Sequence, residues 1–195
     1  MTDRLRVDTP KISFEGHLLV ATPALDGTPY ERSVCLVVRH QEDGVIGVFL
    51  NRAIESEAND LWEHLTGSEA AQRQLHLGGP ESGPVVALHN CQELAEYTSG
   101  EGVYFAAQVS LLKQLVAHEG EDSNVKLIVG QNQWASGELE QQLLLGQWMM
   151  LPVKEDVVFA EGDDMWHKAR RELGNLYVSS ITGCHYRNAP SVLHN

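Results

Sequence analysis

Val34-Cys35-Leu36-Val37-Val38 and Val45-Ile46-Gly47-Val48-Phe49-Leu50, joined through Asp43-Gly44, form the passage on which the fold turns. Both runs are continuously apolar and rich in β-branched side chains. A strand with one wet face alternates apolar and polar residues, so continuous runs predict strands covered on both faces. Asp-Gly is a strong turn signal, and the passage reads as a β-hairpin.

Upstream, Leu18-Leu19-Val20-Ala21 reads as a buried strand, ended by Thr22-Pro23 because proline lacks an amide donor. Residues 1–13 read as a flexible lead. Downstream, a short helix is expected over Asn59 to Leu65, then a strand at Leu75-His76-Leu77 broken by Gly78-Gly79-Pro80. Pro84 to His89 is a further strand, and Gly102 to Ala106 another after a polar loop. Leu111, Leu112, Leu115 and Val116 recur at helical spacing and predict a helix over Val109 to His118, with Gly120 just past its end. Val125 to Val129 reads as a buried strand and Gly137 to Gln147 as a helix, with Glu138 and Glu140 at the positive end of its dipole. Trp148 to Val153 and Val157 to Ala160 suit strands. The last predicted helix runs from Asp164 to Leu173, capped by Asp163 and stopped by Gly174. Strands fall in groups before each helix, which predicts α+β or a complex mixed sheet rather than a doubly wound fold. Residues 14–174 read as one domain. The tail 175–195 is expected to dock on it, because Tyr177, Val178, Ile181, Tyr186, Val192 and Leu193 are more apolar than a free tail needs.

The 195 residues suffice for one core and are short for two. No apolar stretch reaches the ~18–20 residues of a membrane span, and the polar N-terminus does not read as a signal peptide. The expectation is a cytoplasmic protein without membrane contact. Cys35, Cys91 and Cys184 form neither a disulfide framework nor a Cys-x-x-Cys pair. The formal net charge is −13, and five acids with no Lys or Arg lie between Ala53 and Ala70. DNA and RNA binders draw affinity from a basic face, so direct nucleic-acid binding is not expected.

The motifs that carry chemistry are weak. There is no phosphate loop, no dinucleotide fingerprint and no Gly-x-Ser-x-Gly elbow. Gly78-Gly79-Pro80 reads first as a tight bend and second as a ligand cradle. Ser33 and His40 lie at opposite ends of one strand, more than about 20 Å apart, and form no dyad. Ser33 is open to His76 or His89 across the sheet, although a hydroxyl satisfying backbone is the simpler account. His89 followed by Cys91 is a poor metal signal without further ligands, and no metal or cofactor is expected. Asn51-Arg52 ends the second apolar strand, where it either satisfies turn backbone or offers a guanidinium fork to an anion. Trp134, Gly137, Glu138 and Glu140 sit between a strand and a helix, where indole and carboxylates either grip a polar ligand or cap the core.

Phe14-Glu15-Gly16-His17-Leu18-Leu19-Val20-Ala21-Thr22-Pro23, Tyr30-Glu31-Arg32-Ser33-Val34, His40, Asp43-Gly44, Gly47 and Leu50-Asn51-Arg52 carry a resemblance. It continues through Gly78-Gly79-Pro80, Leu88-His89, Gly130, Trp134, Gly137-Glu138-Leu139-Glu140, Trp148 and Trp166. In their order and spacing these motifs, from Phe14 to Gly174, resemble the YqgE/AlgH family of bacterial proteins. Two departures stand out: Glu138 where the family usually has Gln, and a more polar Gly130-Gln131-Asn132-Gln133. The resemblance implies a mixed, bent β-sheet with barrel-like closure surrounded by helices. It implies no reaction; some members are labelled regulators of alginate synthesis or transcription.

Three functions follow as expectations. The first is a non-enzymatic regulatory or interaction protein acting on an unidentified protein or small-molecule partner. The second is a small-molecule-binding protein or enzyme, with Asn51, Arg52, Gly78, Gly79, Pro80, His89, Trp134, Gly137, Glu138 and Glu140 as candidates. It predicts that several of these converge on one pocket. The third is a direct DNA-binding regulator, which the charge disfavours.

Overall fold

In a computed structural model of the chain, Asp43-Gly44 closes the hairpin of β2 (Val34–Gln41) and β3 (Gly44–Phe49), with Gln41 opposite Gly44 and Cys35 opposite Phe49. The structure describes residues 13–54, 75–117 and 124–182. The lead before residue 13, the helix expected over 59–65, Gly120 and the tail from 183 onward lie outside them.

Around this hairpin the remaining strands assemble in an order the chain does not follow. They are β1 (His17–Ala21), β4 (Leu75–Leu77), β5 (Glu81–His89), β6 (Tyr97–Gly100), β7 (Val103–Ala106), β8 (Val125–Ala135) and β9 (Trp148–Pro152). The sheet runs β6-β7-β5-β8-β3-β2-β1-β9, and β4 joins β8 as its parallel neighbour. All other ladders are antiparallel. The sheet curls into a half-barrel, and its two end strands approach each other. Glu101 bridges to Lys154, Gly100 lies so close to Val153 that a side chain there would collide, and Gly16 packs tightly against the Ser99 carbonyl.

Four helices complete the α+β fold among the described residues: α1 (Val109–Ala117), α2 (Glu138–Leu144), α3 (Glu155–Val158) and α4 (Gly162–Thr182). Both faces of the sheet are covered. Leu18, Val20, Leu36, Val48, Val86, Leu88, Ile128 and Leu151 fill the concave side under Val157, Val158, Met165 and Trp166 of α3 and α4. Leu19, Cys35, Val37, Phe49, Trp134 and Trp148 pack outside with Leu139 of α2. Ala87, Ala106 and Leu127 pack with Leu112, Leu115 and Val116 of α1. Double coverage is why the central strands read as unbroken apolar runs, each buried Leu or Val contributing about 1.5–3 kcal/mol.

Several elements differ from expectation. The polar loop before Gly102 contains β6, an edge strand that pairs only with β7 in the sheet. Val157 to Ala160 is not a strand. Val157 and Val158 donate their N–H groups to the Lys154 carbonyl, and both side chains are buried in a one-turn helix whose first turn holds Glu155 and Asp156. The helix expected from Gly137 to Gln147 is shorter, Glu138–Leu144. Strand β8 passes Val129 to reach Ala135, so Trp134 lies on the strand and not in a loop after it. Helix α4 starts at Gly162 rather than behind an Asp163 cap, and it runs through Gly174 to Thr182. Gly174 lacks the positive φ of a helix terminator. Residues 175–182 therefore extend the helix instead of forming a separate tail, and leave Tyr177 and Ile181 exposed.

Candidate functional site

The residues nominated by the sequence fall into separate places. Asn51 and Arg52 hold the turn before β2. Asn51 Oδ1 accepts the Val34 N–H at 3.0 Å and its amide donates to the Arg32 carbonyl at 2.8 Å. Arg52 Nη2 reaches the Pro29 and Glu31 carbonyls and the Ser33 hydroxyl, the last at 2.8 Å. Arg32 between them has φ 53°, costly for a residue with a Cβ, and the two side chains fix it there. Ser33, fully buried, is thus bound to Arg52 and not to a histidine.

Gly78 and Gly79 lie against β8. A Cβ on Gly79 would stand 2.3 Å from the carbonyl of Gln131, and one on Gly78 would stand 2.2 Å from that of Gly130. Gly130 itself has φ 80°. This is backbone packed on backbone, and Pro80 leads from it into β5. The Gly78 carbonyl accepts the amide of buried Asn132 at 2.9 Å.

Trp134 caps the outer core. Its indole N–H donates to Gln142 Oε1 at 3.1 Å, and that same oxygen accepts the Trp148 indole at 2.9 Å. Glu138 accepts the Ala135 N–H at 3.0 Å and the Gln142 amide at 3.4 Å. Gly137, with φ 81°, supplies the left-handed step into α2. Glu140 faces His40 at 3.6 Å, and His40 stacks on Phe14 at 4.7 Å while its Nδ1 accepts the Phe14 N–H. Sequence reasoning missed Gln142, the hub of this cluster. Its only signal was a polar residue on the inner side of an amphipathic helix.

His89 is fully buried, 6.0 Å from the Tyr104 ring, and neither ring nitrogen makes a well-formed hydrogen bond. Burial pushes its pKa down and favours a neutral ring, opposed in part by the Cys91 backbone. Cys91 Sγ contacts Glu93, and no three potential metal ligands cluster among the described residues. Burial likewise pushes the Cys35 thiol far up, making it a core residue and not a nucleophile.

A cavity of about 340 Å³ opens instead at the barrel mouth, beside the seam between β6 and the lead into β1. Val38, Val48, Val86 and Phe105 form its floor. Glu15, Arg39, Thr98, Ser99 and Gln131 stand around it, and Tyr97 packs on Phe105 at 6.2 Å. An apolar floor with a few convergent polar groups, in the mouth of a barrel, is the arrangement that takes small ligands. None of the ten nominated residues lines it. Gly130 and Gln131, from the polar departure in β8, do. A larger cleft of about 670 Å³ lies across the seam; both of its lysines are held in ion pairs, Lys168 with Asp156 at 3.3 Å and Lys154 with Glu172 beside the cleft.

Residues 18–178 match the model of the AlgH-like family. The chain belongs to that family. AlgH-like relatives include a UPF0301 protein of Chlamydia caviae, 30% identical over 174 residues that cover 86% of this chain and 90% of the relative. A UPF0301 protein of Xanthomonas oryzae pv. oryzae is 30% identical over 165 residues, 80% of this chain and 87% of its own length. The solution structure of the AlgH protein from Pseudomonas aeruginosa superposes with a TM-score of 0.65 at 22% identity, covering 92% of this chain and all of that one. A crystal structure from Corynebacterium diphtheriae gives 0.64 at 24%, over 83% of this chain and 87% of that one. At these identities the structures establish the shared fold of the AlgH-like chain, a strongly curled half-barrel with helices.

Proposed function

We propose that this chain is a non-enzymatic regulatory protein of the bacterial cytoplasm that works by holding a small molecule in the barrel mouth. The observation that carries this reading is the cavity itself, an apolar floor under a rim of both charges and neutral polar groups. The placement of the candidate ligand residues, and of Ser33 beside them, supports it from the other side. Ser33, Arg52, Glu138 and Asn51 are bound into the scaffold, and His89 is sealed in the core. A small molecule suits a chain of net charge −13 better than a nucleic acid does.

Native mass spectrometry on protein purified gently from its own cytosol tests the proposal. The expected result is a reproducible added mass that is absent from Thr98→Trp, which plugs the mouth from an exposed edge strand. A bare chain in both proteins, or a saturable turnover lost on replacing His89 or Glu138, overturns it.

A further inference from the structure

We infer that the barrel mouth recognises a small zwitterion with an apolar body, the chemistry of a free aliphatic or aromatic α-amino acid. This rests on reading the mouth as a ligand site. Glu15 and Arg39, opposite in charge, both line this cavity, and among the described residues no ion pair joins them. Glu15 is fixed at the rim by one oxygen, which accepts the His40 N–H at 2.6 Å. Arg39 contacts Asp43 at 3.6 Å, with side chains 45% and 70% exposed. So loose a surface pair holds the guanidinium weakly, and it is free to turn to a carboxylate, which it would grip through two N–H groups.

Elimination by charge then selects the ligand. A lone anion would meet Glu15, and a lone cation would meet Arg39. A neutral apolar molecule would cover both charges and give neither a partner, which costs free energy. A zwitterion offers its ammonium to Glu15 and its carboxylate to Arg39, while its side chain rests on Val48, Val86 and Phe105. At about 340 Å³ the cavity lies at the small end of ligand pockets, sized for an amino acid or short peptide rather than a nucleotide cofactor.

Calorimetric titration of the full chain tests this with L-phenylalanine, L-leucine, N-acetyl-L-phenylalanine, L-phenylalaninamide and indole. Binding of the free amino acids is expected, weakened at least tenfold when either end is blocked. Glu15→Gln, which still accepts the His40 N–H, should abolish the preference over the acetylated form and keep that over the amide. Arg39→Met should do the reverse. Equal binding of free and blocked forms overturns the ligand class and leaves the mouth as a site. So does binding of indole alone, provided Thr98→Trp abolishes it. If none of the five probes binds, this inference falls, while an added mass lost in Thr98→Trp would still uphold the mouth as a site and its absence would take that reading down as well.

Discussion

At the scale of single residues, the least comfortable group in the fold is Lys126. It lies on the concave side of β8, 6% exposed, with its ammonium 3.5 Å from His76 Nε2 and 3.4 Å from the Ala160 carbonyl. Burial pulls its pKa from 10.5 to about 8, with Glu161 resisting. The folded pKa is below the unfolded one, so the folded state binds the proton less tightly. The penalty for charging it is therefore fully present below pH 8 and fades as pH rises towards 10.5. Lys126→Met removes that penalty and should raise stability at pH 7 by up to about 3 kcal/mol. Urea denaturation at pH 7 and pH 10 checks it: the advantage should shrink at the higher pH. An equal gain at both values would show that the ammonium is not strained. Sequence alone marked neither Lys126 nor Gln142. Trp134 and Glu138 stood out because indoles and carboxylates at a helix start are conspicuous. What joins them, a glutamine oxygen shared by two indoles, depends on α2 lying across β8 and β9.

Among the elements, legibility followed burial. Strands buried on both faces, such as β1, β2 and β3, declared themselves as apolar runs, and α1 declared itself by spacing. Strand β6 did not, because Tyr97-Thr98-Ser99-Gly100 is a half-wet edge whose strand character comes from β7. Helix α3 did not, because two adjacent valines look alike in a strand and in a single turn. The Gly78-Gly79 bend was legible as a bend, yet its cause was not. The glycines are required by the approach of β8, fifty residues away in the chain, and not by the turn alone. Gly79→Ala would set a methyl against the Gln131 carbonyl, and backbone cannot yield as a flexible side chain would. The expected loss is about 1–3 kcal/mol or more in chemical denaturation, with weakened amide protection at β4 and β8. Wild-type stability in this variant would mean that the two segments slide apart without cost.

At the scale of the whole molecule, the sequence could group strands but not order them. Closure of the sheet was implied by family resemblance, because the contacts that make it join distant parts of the chain: Gly16 with Ser99, Gly100 with Val153, Glu101 with Lys154. The cavity escaped notice for the same reason. Its floor and rim come from six strands and the lead into β1, segments that the sequence does not bring together. The seam is thus both the last structural join and one wall of the mouth, which makes a sharp prediction possible. A Cβ on Gly100 would stand 2.4 Å from Cβ of Val153, a side chain packed into the concave core. Gly100→Val must therefore push β6 away from β9, while the β2–β3 hairpin keeps every contact it has. Hydrogen exchange should show faster amides across residues 97–100 with unchanged protection in the hairpin, because local opening need not carry the global free energy. The added mass proposed for the mouth should fall with the seam and not with global stability. Uniformly faster exchange would mean instead that the join holds the entire barrel, and that closing it and folding the sheet are one cooperative event.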